Sequence, residues 1–572
     1  MIYTDKILKK LPRKFISETL DITNWEDVKK ELEKLTGTTP ASADQLLTLL
    51  EHASELSKAL SDELSWRYIR MTVNADKEEL AEAYNDFNAN VFAPCEPYRF
   101  DLQRMFYDSP FRGELPADKY KHLEEIIANE IELFIEENIP LKVKELELGT
   151  QYGAVCSKMT AFFEGEERTP PQLAVYLQDQ DRNKREQAWQ LLINCYADKK
   201  DELDVLFDDL KALRIKIASN AGFDNYRDYM HKAMGRFSYA PHDLYKFHNA
   251  VEKVVVPFCG ELNQHRKEVL NLDTLRPWDT AVDLDGKKLK PFETVDEFIS
   301  KAIEIEHKVK PEYGIQLEMM NNSKLLDLEN RKGKAPGGYN SSIYELGSSF
   351  IFMNAVKLHS DVTTILHEAG HAMHGAASKD IALDYYCNPP SEVAELASMA
   401  MEMLTMDYWD EYYKDENDLK KAKRDQLEGT LTFLPWCMTV DAFQHWVYLN
   451  PKHTPEERNE AFAEIQTRFS AGVDWTGLED VRKIRWMQQL HIFEVPFYYI
   501  EYGMAQLGAL AIYKNYRENK NKALKQYQDF LNLGYSKPVK EIYQTAGIEF
   551  DFSESYLREL VDFVKAELAL LN

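Results

Sequence analysis

Apolar residues recur every three or four positions along most of this chain of 572 residues. In the stretch from 201 to 223 they form one helical stripe, made of Leu203, Leu206, Phe207, Leu210, Leu213 and Ile217. Gly222 then stands where a left-handed residue ends a helix. Similar spacing fills most of the first 320 residues and the last 150, and alternating patterns are few. We therefore predict a mainly α protein.

Two interruptions bear on how the chain is divided. Pro170-Pro171 breaks the helical pattern, and Asp285-Gly286 gives a hairpin-type turn signal between residues 276 and 293. No internal repeat or low-complexity tract is present. We place a boundary near residue 190, which separates an N-terminal helical region, residues 1–190, from a second region, residues 191–572.

The main exception to helical periodicity is a small β element at about residues 335–355. Pro336-Gly337-Gly338 predicts a turn or flexible loop, and Phe350 to Met353 reads as a short buried strand. Two interpretations are open for this strand. It could offer its edge to an extended peptide, or it could belong to a plain structural hairpin.

Composition excludes several classes of protein. The net charge is −27 and the pI about 5.1. With no long run of Lys or Arg, a nucleic-acid partner is not expected. The negative net charge is typical of a soluble protein. An alternative explanation is an acidic cavity that favours cationic substrates. No segment approaches the roughly 18 apolar residues of a membrane span, so no membrane association is expected.

Cysteine usage indicates a reducing compartment. The six cysteines are scattered without a CxxC pair, which is typical of buried free thiols. The first residues lack the uninterrupted apolar core of a signal peptide. We therefore expect a cytoplasmic protein, and the sequence leaves its oligomeric state open.

Candidate chemistry begins with the HExxH sequence His367-Glu368-Ala369-Gly370-His371. On a helix the two histidines lie one turn apart on the same face and can bind one metal ion. Glu368, next to the first ligand, can act as general base toward a zinc-bound water. The segment is predicted to be helical, with Asp361 as N-cap, and Gly370 inside it suggests a packing requirement.

A third metal ligand is needed, and the sequence offers several candidates. The metzincin pattern requires a histidine at position 377, which is alanine. His374 shares the face of His367, but one straight helix can hardly wrap three ligands around an ion. The helix after Pro389-Pro390 carries Glu392, Glu395 and Glu402. Glu395 is the first choice and Glu392 the second, which gives a His₂Glu site with an open fourth position.

Several stretches together resemble the zinc oligopeptidases related to thimet oligopeptidase and oligoendopeptidase F, most closely the bacterial oligoendopeptidase F and Pz-peptidase branch. The matching stretches, between about residues 214 and 550, are HEAGHAMHG at 367–375, PPSEVAELAS at 389–398, GKAPGGY at 333–339, FIFMN at 350–354, HIFEVPFYYIEYGMAQ at 491–506 and LNLGYSKPVKEIYQTAGIEF at 531–550. The first 190 residues match only in being helical.

The resemblance implies roles for individual residues. The implied ligands of one Zn²⁺ are His367, His371 and Glu395, and Glu368 is the implied general base. His491 and Tyr502 fall on positions that contact the substrate carbonyl, and either Tyr498 or Tyr499 acts with Tyr502. The remaining residues implied to contact substrate are Gly337, Gly338, Tyr339, Phe350 and Phe352.

The fold implied by the resemblance has two helical lobes around a deep channel that admits short peptides. The strand from Phe350 to Met353 would line this channel and pair with the substrate backbone. Residues 191–572 would then be the zinc peptidase catalytic region, and the protein a zinc metalloendopeptidase of short oligopeptides. Two alternatives are a zinc carboxypeptidase with an HExxH helix and a non-catalytic zinc-containing peptide-binding protein.

Overall fold

The computed structural model describes residues 8–335 and 337–571, so Pro336 of the predicted loop lies outside the described residues. Within these ranges there are 25 α-helices and five β-strands. The prediction of a mainly α fold with a small β element is confirmed. No helix in the described ranges is both long enough and apolar enough to cross a bilayer.

The chain forms two compact units, each built from three separate segments. The first unit comprises residues 8–132, 289–423 and 508–550, and the second comprises 133–288, 424–507 and 551–571. The predicted boundary near residue 190 falls within the second unit, inside the helix Arg182–Ala197. The division into an N-terminal helical region and a catalytic region stays a prediction.

The helices are numbered in chain order. Up to residue 288 they are α1 (Trp25–Thr36), α2 (Ala43–Val73), α3 (Glu78–Phe87), α4 (Glu96–Asp108), α5 (Ala117–Leu133), α6 (Ile139–Cys156), α7 (Pro170–Ala174), α8 (Arg182–Ala197), α9 (Lys200–Asn220), α10 (Tyr226–Ala233), α11 (Pro241–Ala250) and α12 (Val256–Val269). Up to residue 432 they are α13 (Val295–Val309), α14 (Pro311–Asn322), α15 (His359–Ala377), α16 (Ser391–Thr405) and α17 (Glu416–Thr432). The last eight are α18 (Leu434–Leu449), α19 (Pro455–Arg468), α20 (Glu479–Lys483), α21 (Leu490–Glu494), α22 (Tyr499–Glu518), α23 (Lys520–Leu531), α24 (Val539–Thr545) and α25 (Glu554–Ala569).

Helix α9 shows how the apolar pattern becomes structure. Five of its six predicted stripe residues are buried and Leu213 is half-buried. Gly222 has φ +79°, the left-handed conformation expected just past the end of a helix. The stripe joins the apolar core of the second unit, which also contains Phe443 and Trp486.

The strands form two small sheets. In the second unit β1 (Ala161–Phe163) pairs antiparallel with β2 (Glu166–Arg168). In the first unit the sheet contains β3 (Leu326–Glu329), β4 (Tyr339–Ile343) and β5 (Ser348–Ala355). Its order is β3-β5-β4, with β3 parallel and β4 antiparallel to β5.

Strand β5 contains the predicted segment from 350 to 353, but it lies in the centre of its sheet. Phe352 is paired with Asp327 of β3 on one side and with Tyr339 of β4 on the other. Because neighbours occupy both sides of its backbone, β5 cannot add an extended peptide. The prediction that this strand pairs with substrate is wrong. Among the described residues, β4 has a partner on one side only, and most of its residues are half-buried.

Candidate active site

Helix α15 carries the HExxH sequence and is anchored by its apolar side. The helix begins at His359, two residues before the predicted N-cap Asp361. Asp361 instead accepts hydrogen bonds from the backbone N–H groups of Val356 and Leu358, both at 2.8 Å, and so fixes the chain that enters the helix. Its apolar side chains, among them Ile365, are buried, and α15 packs against β4, β5 and α16.

Gly370 allows α15 and α16 to approach closely. A Cβ atom at this position would lie 2.6 Å from the Cα of Ser398 and 2.8 Å from the carbonyl oxygen of Ala397. These are backbone atoms, which cannot move without shifting α16 as a whole. The packing requirement predicted for this glycine is confirmed, and the contact lies three residues along α16 from Glu395.

Gly370→Ala is therefore expected to lower the free energy of unfolding by about 1–3 kcal/mol, because the added methyl group overpacks the contact between the helices. Helix propensity acts in the opposite direction and favours alanine by about 1 kcal/mol. Urea unfolding of the zinc-free protein measures the change. Gly153→Ala in α6 is the matched control, since a Cβ there meets nothing within 4 Å. Equal stability of the Gly370→Ala variant and the wild type would contradict the close contact.

The predicted metal ligands converge at this helix contact. The ligand atoms of His367, His371 and Glu395 all lie within 4.8 Å of one another. Glu395 Oε2 is 3.3 Å from His367 Nε2 and 3.7 Å from His371 Nε2. Ser398 holds this carboxylate from one turn farther along α16, where its hydroxyl donates to Glu395 Oε2 at 3.2 Å. The arrangement provides two imidazole nitrogens and one carboxylate oxygen facing a common point.

Glu402 is a site residue whose role the sequence analysis did not assign. Its Oε1 lies 2.7 Å from His367 Nδ1, so the carboxylate can accept that N–H and leave Nε2 as the metal-facing nitrogen. The spacing of Glu402 from Glu395 along the sequence could have indicated this role. Glu402 is seven residues after Glu395, two turns along the same face of α16, and a metal-binding histidine usually needs such a partner.

The two histidines differ in their electrostatic surroundings. Burial opposes a proton on His367, but the hydrogen bonds to Glu395 and Glu402 outweigh it and hold the pKa well above its usual value. Burial, together with the charge of His367, lowers the pKa of His371 to about 4. His371 therefore presents a neutral imidazole with a lone pair, as a metal ligand must.

Glu368 is buried next to the first histidine of the cluster. Burial raises the pKa of its carboxyl to about 7, with the negative charges of Glu395 and Glu402 adding to the effect and His367 opposing it. Its Oε2 is buried and has no hydrogen-bond partner among the described residues. A carboxyl group whose pKa lies near neutrality can both accept and return a proton.

His374 and Glu392, the less favoured ligand candidates, lie outside the cluster of three ligands. His374 is buried against Phe530 of α23, with 6.0 Å between ring centroids, and burial lowers its pKa to about 3. Glu392 is fully buried in the first turn of α16, where its backbone carbonyl accepts a hydrogen bond from Tyr543.

The glycine loop and β4 lie beside the HExxH helix. Asn354 of β5 donates to the carbonyls of Ala335 and Gly337, both at 2.9 Å, which ties the loop to the sheet. Asn340 of β4 donates to the backbone carbonyl of Glu368 at 3.2 Å. The edge strand is thus attached directly to the helix at its candidate base.

The five residues implied to contact substrate fall into two groups. Gly337 and Gly338 are exposed and Tyr339 is half-buried at the start of β4. Phe350 and Phe352 are fully buried in β5, where Phe352 stacks on Tyr339 with 4.9 Å between centroids. Because neither Phe350 nor Phe352 has exposed surface, we assign both to support of the neighbouring strand β4 and not to contact with a ligand.

His491, Tyr498, Tyr499 and Tyr502 cluster in the second unit. The His491 ring centroid lies 4.8 Å from that of Tyr499, 6.2 Å from Tyr498 and 6.1 Å from Tyr502. All four side chains are half-buried. Tyr498 contacts Tyr502 edge-to-face at 5.2 Å, whereas Tyr499 also packs on Phe433, and burial raises the pKa of its hydroxyl.

A hydrogen-bond chain that sequence reasoning missed fixes the tautomer of His491. The indole of Trp436 can only donate, and it donates to Gln489 Oε1 at 2.8 Å. The amide nitrogen of Gln489 lies 2.7 Å from His491 Nδ1 and must donate to it. Burial lowers the pKa of His491, so the ring is neutral and carries its proton on Nε2. No sequence pattern marks Gln489.

Phe497 shapes the turn that precedes the tyrosines. Its φ of +66° is unfavourable for a residue with a side chain, so surrounding contacts must hold it. Gln444 accepts from its N–H at 2.8 Å, and Arg236 donates to its carbonyl at 2.6 Å. Arg236 also forms a buried ion pair with Glu501 at 2.8 Å, next to Tyr502.

Comparison with known proteins identifies the sequence family. Residues 175–562 match Peptidase family M3, and residues 15–134 match the Peptidase M3 N-terminal domain. The first match alone covers more than half of the chain and includes both α15 and the tyrosine cluster.

Individual relatives and solved structures agree with this match. An oligoendopeptidase F homolog of Borreliella burgdorferi is 26% identical over 456 residues, which cover 76% of this chain and 74% of the relative. The structure of Pz peptidase A with an inhibitor superposes with a TM-score of 0.88 at 28% identity, covering 97% and 99% of the two chains. A putative oligoendopeptidase F from Bacillus anthracis gives 0.84 at 26% identity, covering 97% and 98%.

Proposed function

This chain belongs to peptidase family M3, a family of zinc metallopeptidases, and from that premise we propose that it is a zinc-dependent endopeptidase. Its proposed substrates are short oligopeptides, cut at internal bonds within a deep channel. The observation that carries the proposal is the convergence of His367, His371 and Glu395, with the buried carboxyl of Glu368 beside them.

The residues present suit Zn²⁺. Two imidazoles and one carboxylate with a free fourth position are the ligand set of catalytic zinc sites, and Glu402 supports the first ligand. Burial opposes ionisation of Glu395, but the hydrogen bond to His367 and the charge of His371 hold its pKa below the usual value. One Zn²⁺ bound there would polarise the scissile carbonyl and lower the pKa of a water molecule toward ~7.

Glu368 supplies the proton transfers in this proposal. Its carboxylate takes a proton from the attacking water and then gives it to the amine that leaves. The base must be ionised before attack and become protonated during it. In the zinc-free protein burial raises the pKa of this carboxyl to about 7, and a bound Zn²⁺ would favour its ionised form, which is the form that accepts the proton.

His491 and Tyr502 are proposed to donate hydrogen bonds to the carbonyl oxygen as negative charge develops on it. Such donors typically contribute on the order of 3 kcal/mol to the transition state. The proton on His491 Nε2 gives this residue the required donor. Tyr498 is favoured over Tyr499 as the partner of Tyr502, because Tyr499 is also packed on Phe433.

The edge strand β4 replaces β5 as the proposed binding strand for the substrate backbone. Its second side is free of strand partners in the described part of the chain, and Asn340 attaches it to Glu368. An extended peptide added at this edge would run beside the proposed base. Gly337, Gly338 and Tyr339 remain proposed substrate contacts, whereas Phe350 and Phe352 are proposed to support β4 from the adjacent strand β5.

Gln489→Leu is expected to lower kcat about tenfold and to change KM little, because leucine cannot hold the His491 tautomer that donates from Nε2. Gln489→Glu should also lose activity at pH values where His491 is neutral, since the carboxylate then accepts a hydrogen bond from Nδ1–H and leaves Nε2 without a proton to donate. The pH profile of kcat separates these effects from simple misfolding. A Gln489→Leu enzyme with unchanged kcat and an unchanged pH profile would contradict the role.

The proposed function is tested with a mixture of peptides of about five to fifteen residues, free or amidated at the C-terminus. The zinc-loaded protein should cut internal bonds of both forms, and a chelator should stop cleavage. Products are read by mass spectrometry. Removal of single residues from free C-termini alone would favour the carboxypeptidase alternative. Zinc-dependent binding of intact peptides without cleavage would favour the non-catalytic alternative.

A cytoplasmic location is also proposed, because the six cysteines are free thiols, three of them buried. The proposed partners are the short peptide substrates.

A further inference from the structure

The edge strand β4 has a different helix on each face. Successive side chains of a strand point to opposite faces, so Tyr339 and Asn340 point in opposite directions. Asn340 reaches α15, where it donates to the backbone carbonyl of Glu368. Tyr339 reaches α2, where its hydroxyl lies 2.6 Å from that of Thr72. One face of β4 is therefore directed to the HExxH helix and the other to α2, and all three elements belong to the first unit.

Helix α2 is fixed against β4 and against the glycine loop. The backbone N–H of Ala335 donates to the carbonyl of Thr72 at 2.8 Å, and that of Ala75, just past the end of α2, donates to the carbonyl of Gly333 at 2.7 Å. These bonds join α2 to both ends of the loop segment that leads into β4. Side chains near the end of α2 thus have a defined position beside the proposed binding strand.

A row of aromatic rings runs from β5 across β4 to α2 and α3. The distances between successive ring centroids are 4.9 Å for Phe352 and Tyr339, 5.3 Å for Tyr339 and Tyr68, and 5.7 Å for Tyr68 and Tyr84. Phe352 has no exposed surface, Tyr339 is half-buried and Tyr68 is 38% exposed. Phe352 and Tyr68 both contact Tyr339 but, within the described ranges, not each other. The row therefore leads outward from the buried strand, past the edge strand, to solvent.

The ring of Tyr68 lies where it can meet a peptide that pairs with β4. An added strand would lie about 4.8 Å from β4, on the side away from β5. Half of its side chains would point to the α15 face, which carries the candidate metal ligands. The side chains between them would point to the α2 face, where the exposed ring of Tyr68 lies next to Tyr339.

The surroundings of Tyr68 favour a neutral side chain as its partner. Burial raises the pKa of the Tyr68 and Tyr84 hydroxyls, and no charged group of the described residues contributes to either shift. Both rings are therefore uncharged, and no carboxylate beside them would select a cationic group. Two neighbouring aromatic rings pack best against another aromatic ring or a large apolar group.

We propose that Tyr68 is a specificity-determining residue, which packs against an aromatic or large apolar side chain of a peptide paired with β4. Tyr84 and Tyr339 complete the aromatic surface on either side of it. This inference rests on the proposed peptidase function and adds a substrate preference to it. Because side chains alternate along a strand, the preference that depends on Tyr68 falls on one substrate position and not on the two positions next to it.

Cleavage of a peptide series tests the preference. A parent peptide with a known cleaved bond is synthesised with Phe, Lys or Ala at each position in turn, and mass spectrometry checks that the same bond is cut. The wild type is expected to show about tenfold higher kcat/KM for Phe than for Ala at one position. Tyr68→Ala should reduce this ratio to about twofold or less. Tyr68→Phe should retain it, since the ring and not the hydroxyl makes the contact.

Tyr107→Ala is the matched control. Tyr107 of α4 is 37% exposed, as Tyr68 nearly is, but its ring faces the guanidinium of Arg112 at 4.3 Å. This variant should leave every ratio unchanged. If Tyr68→Ala does not fold, Tyr84→Ala takes its place and should reduce the same ratio by a smaller factor.

Several results would overturn the proposal. They are a wild type without a preference for Phe at any position, an unchanged ratio in the tyrosine variant, and an equal loss of kcat/KM for all peptides in that variant. A preference for Lys that depends on Tyr68 would contradict the proposed class of side chain. An effect of Tyr68→Ala on the ratios at two adjacent positions would contradict the alternation that the edge strand imposes.

Failure of the proposed function gives a different result. If the zinc-loaded wild type cut no peptide, the peptidase proposal would be contradicted, and calorimetric affinities for the Phe and Ala peptides would decide the role of Tyr68 separately. The wild type should then bind the Phe peptide about tenfold more tightly than the Ala peptide, and Tyr68→Ala should bind the two equally. Equal affinities in the wild type, or no binding of either peptide, would overturn the inference.

Discussion

Replacing Glu368 by glutamine is expected to remove nearly all peptidase activity while the protein still binds Zn²⁺. The three proposed ligands are unchanged in this variant, and glutamine has the shape of the residue it replaces. What it lacks is the ability to take a proton from water. A general base contributes about 10²- to 10⁴-fold, so kcat should fall by that factor with little change in KM.

The measurement combines kcat with the metal content of the same preparation. Glu402→Gln is the matched control, because it changes a carboxylate 2.7 Å from His367 and leaves the base in place. Loss of that supporting contact should weaken zinc binding about 10- to 100-fold, and excess zinc should restore its activity. Excess zinc should not restore the activity of the Glu368→Gln variant. Substantial turnover by zinc-loaded Glu368→Gln would refute the role of the base.

Features set by local spacing could be predicted from the sequence. The stripe of α9, the HExxH helix and the strand around Phe350 all depend on residues that are close together along the chain. Gly370 could be interpreted as a packing position because glycine destabilises the interior of a helix, so its presence there indicates that a larger side chain would not fit. The Asp285-Gly286 turn illustrates the limit of such signals. Gly286 has φ +66° as a turn requires, yet no strands flank it.

Features set by distant neighbours could not be predicted in the same way. The burial of Phe352 follows from the sequence, but whether β5 is central or at an edge depends on β3, which is only four residues long. The two units are each assembled from three segments, so no single boundary along the chain describes them. Gln489 acquires its role from Trp436, which is 53 residues away.

Removal of the third metal ligand is expected to have a large effect on zinc affinity, and the candidates for this ligand are Glu395 and Glu392. Both glutamates lie in the first turns of α16 and both are buried, so burial alone does not separate them. Position does, because Glu395 Oε2 is 3.3 Å from His367 Nε2 and Glu392 is not part of the cluster of three ligands. The hydroxyl of Ser398 further fixes Glu395 toward the histidines.

Glu395→Ala is therefore expected to weaken zinc binding by at least about 100-fold, more than the loss of a supporting residue would, because a direct ligand is removed. Glu392→Ala should leave zinc affinity within about twofold of the wild type, even where loss of a buried side chain lowers stability. Competition with a chelating dye measures affinity, and thermal unfolding of the zinc-free proteins reports stability separately. If Glu392→Ala lost zinc and Glu395→Ala kept it, the third ligand would move one turn toward the start of α16.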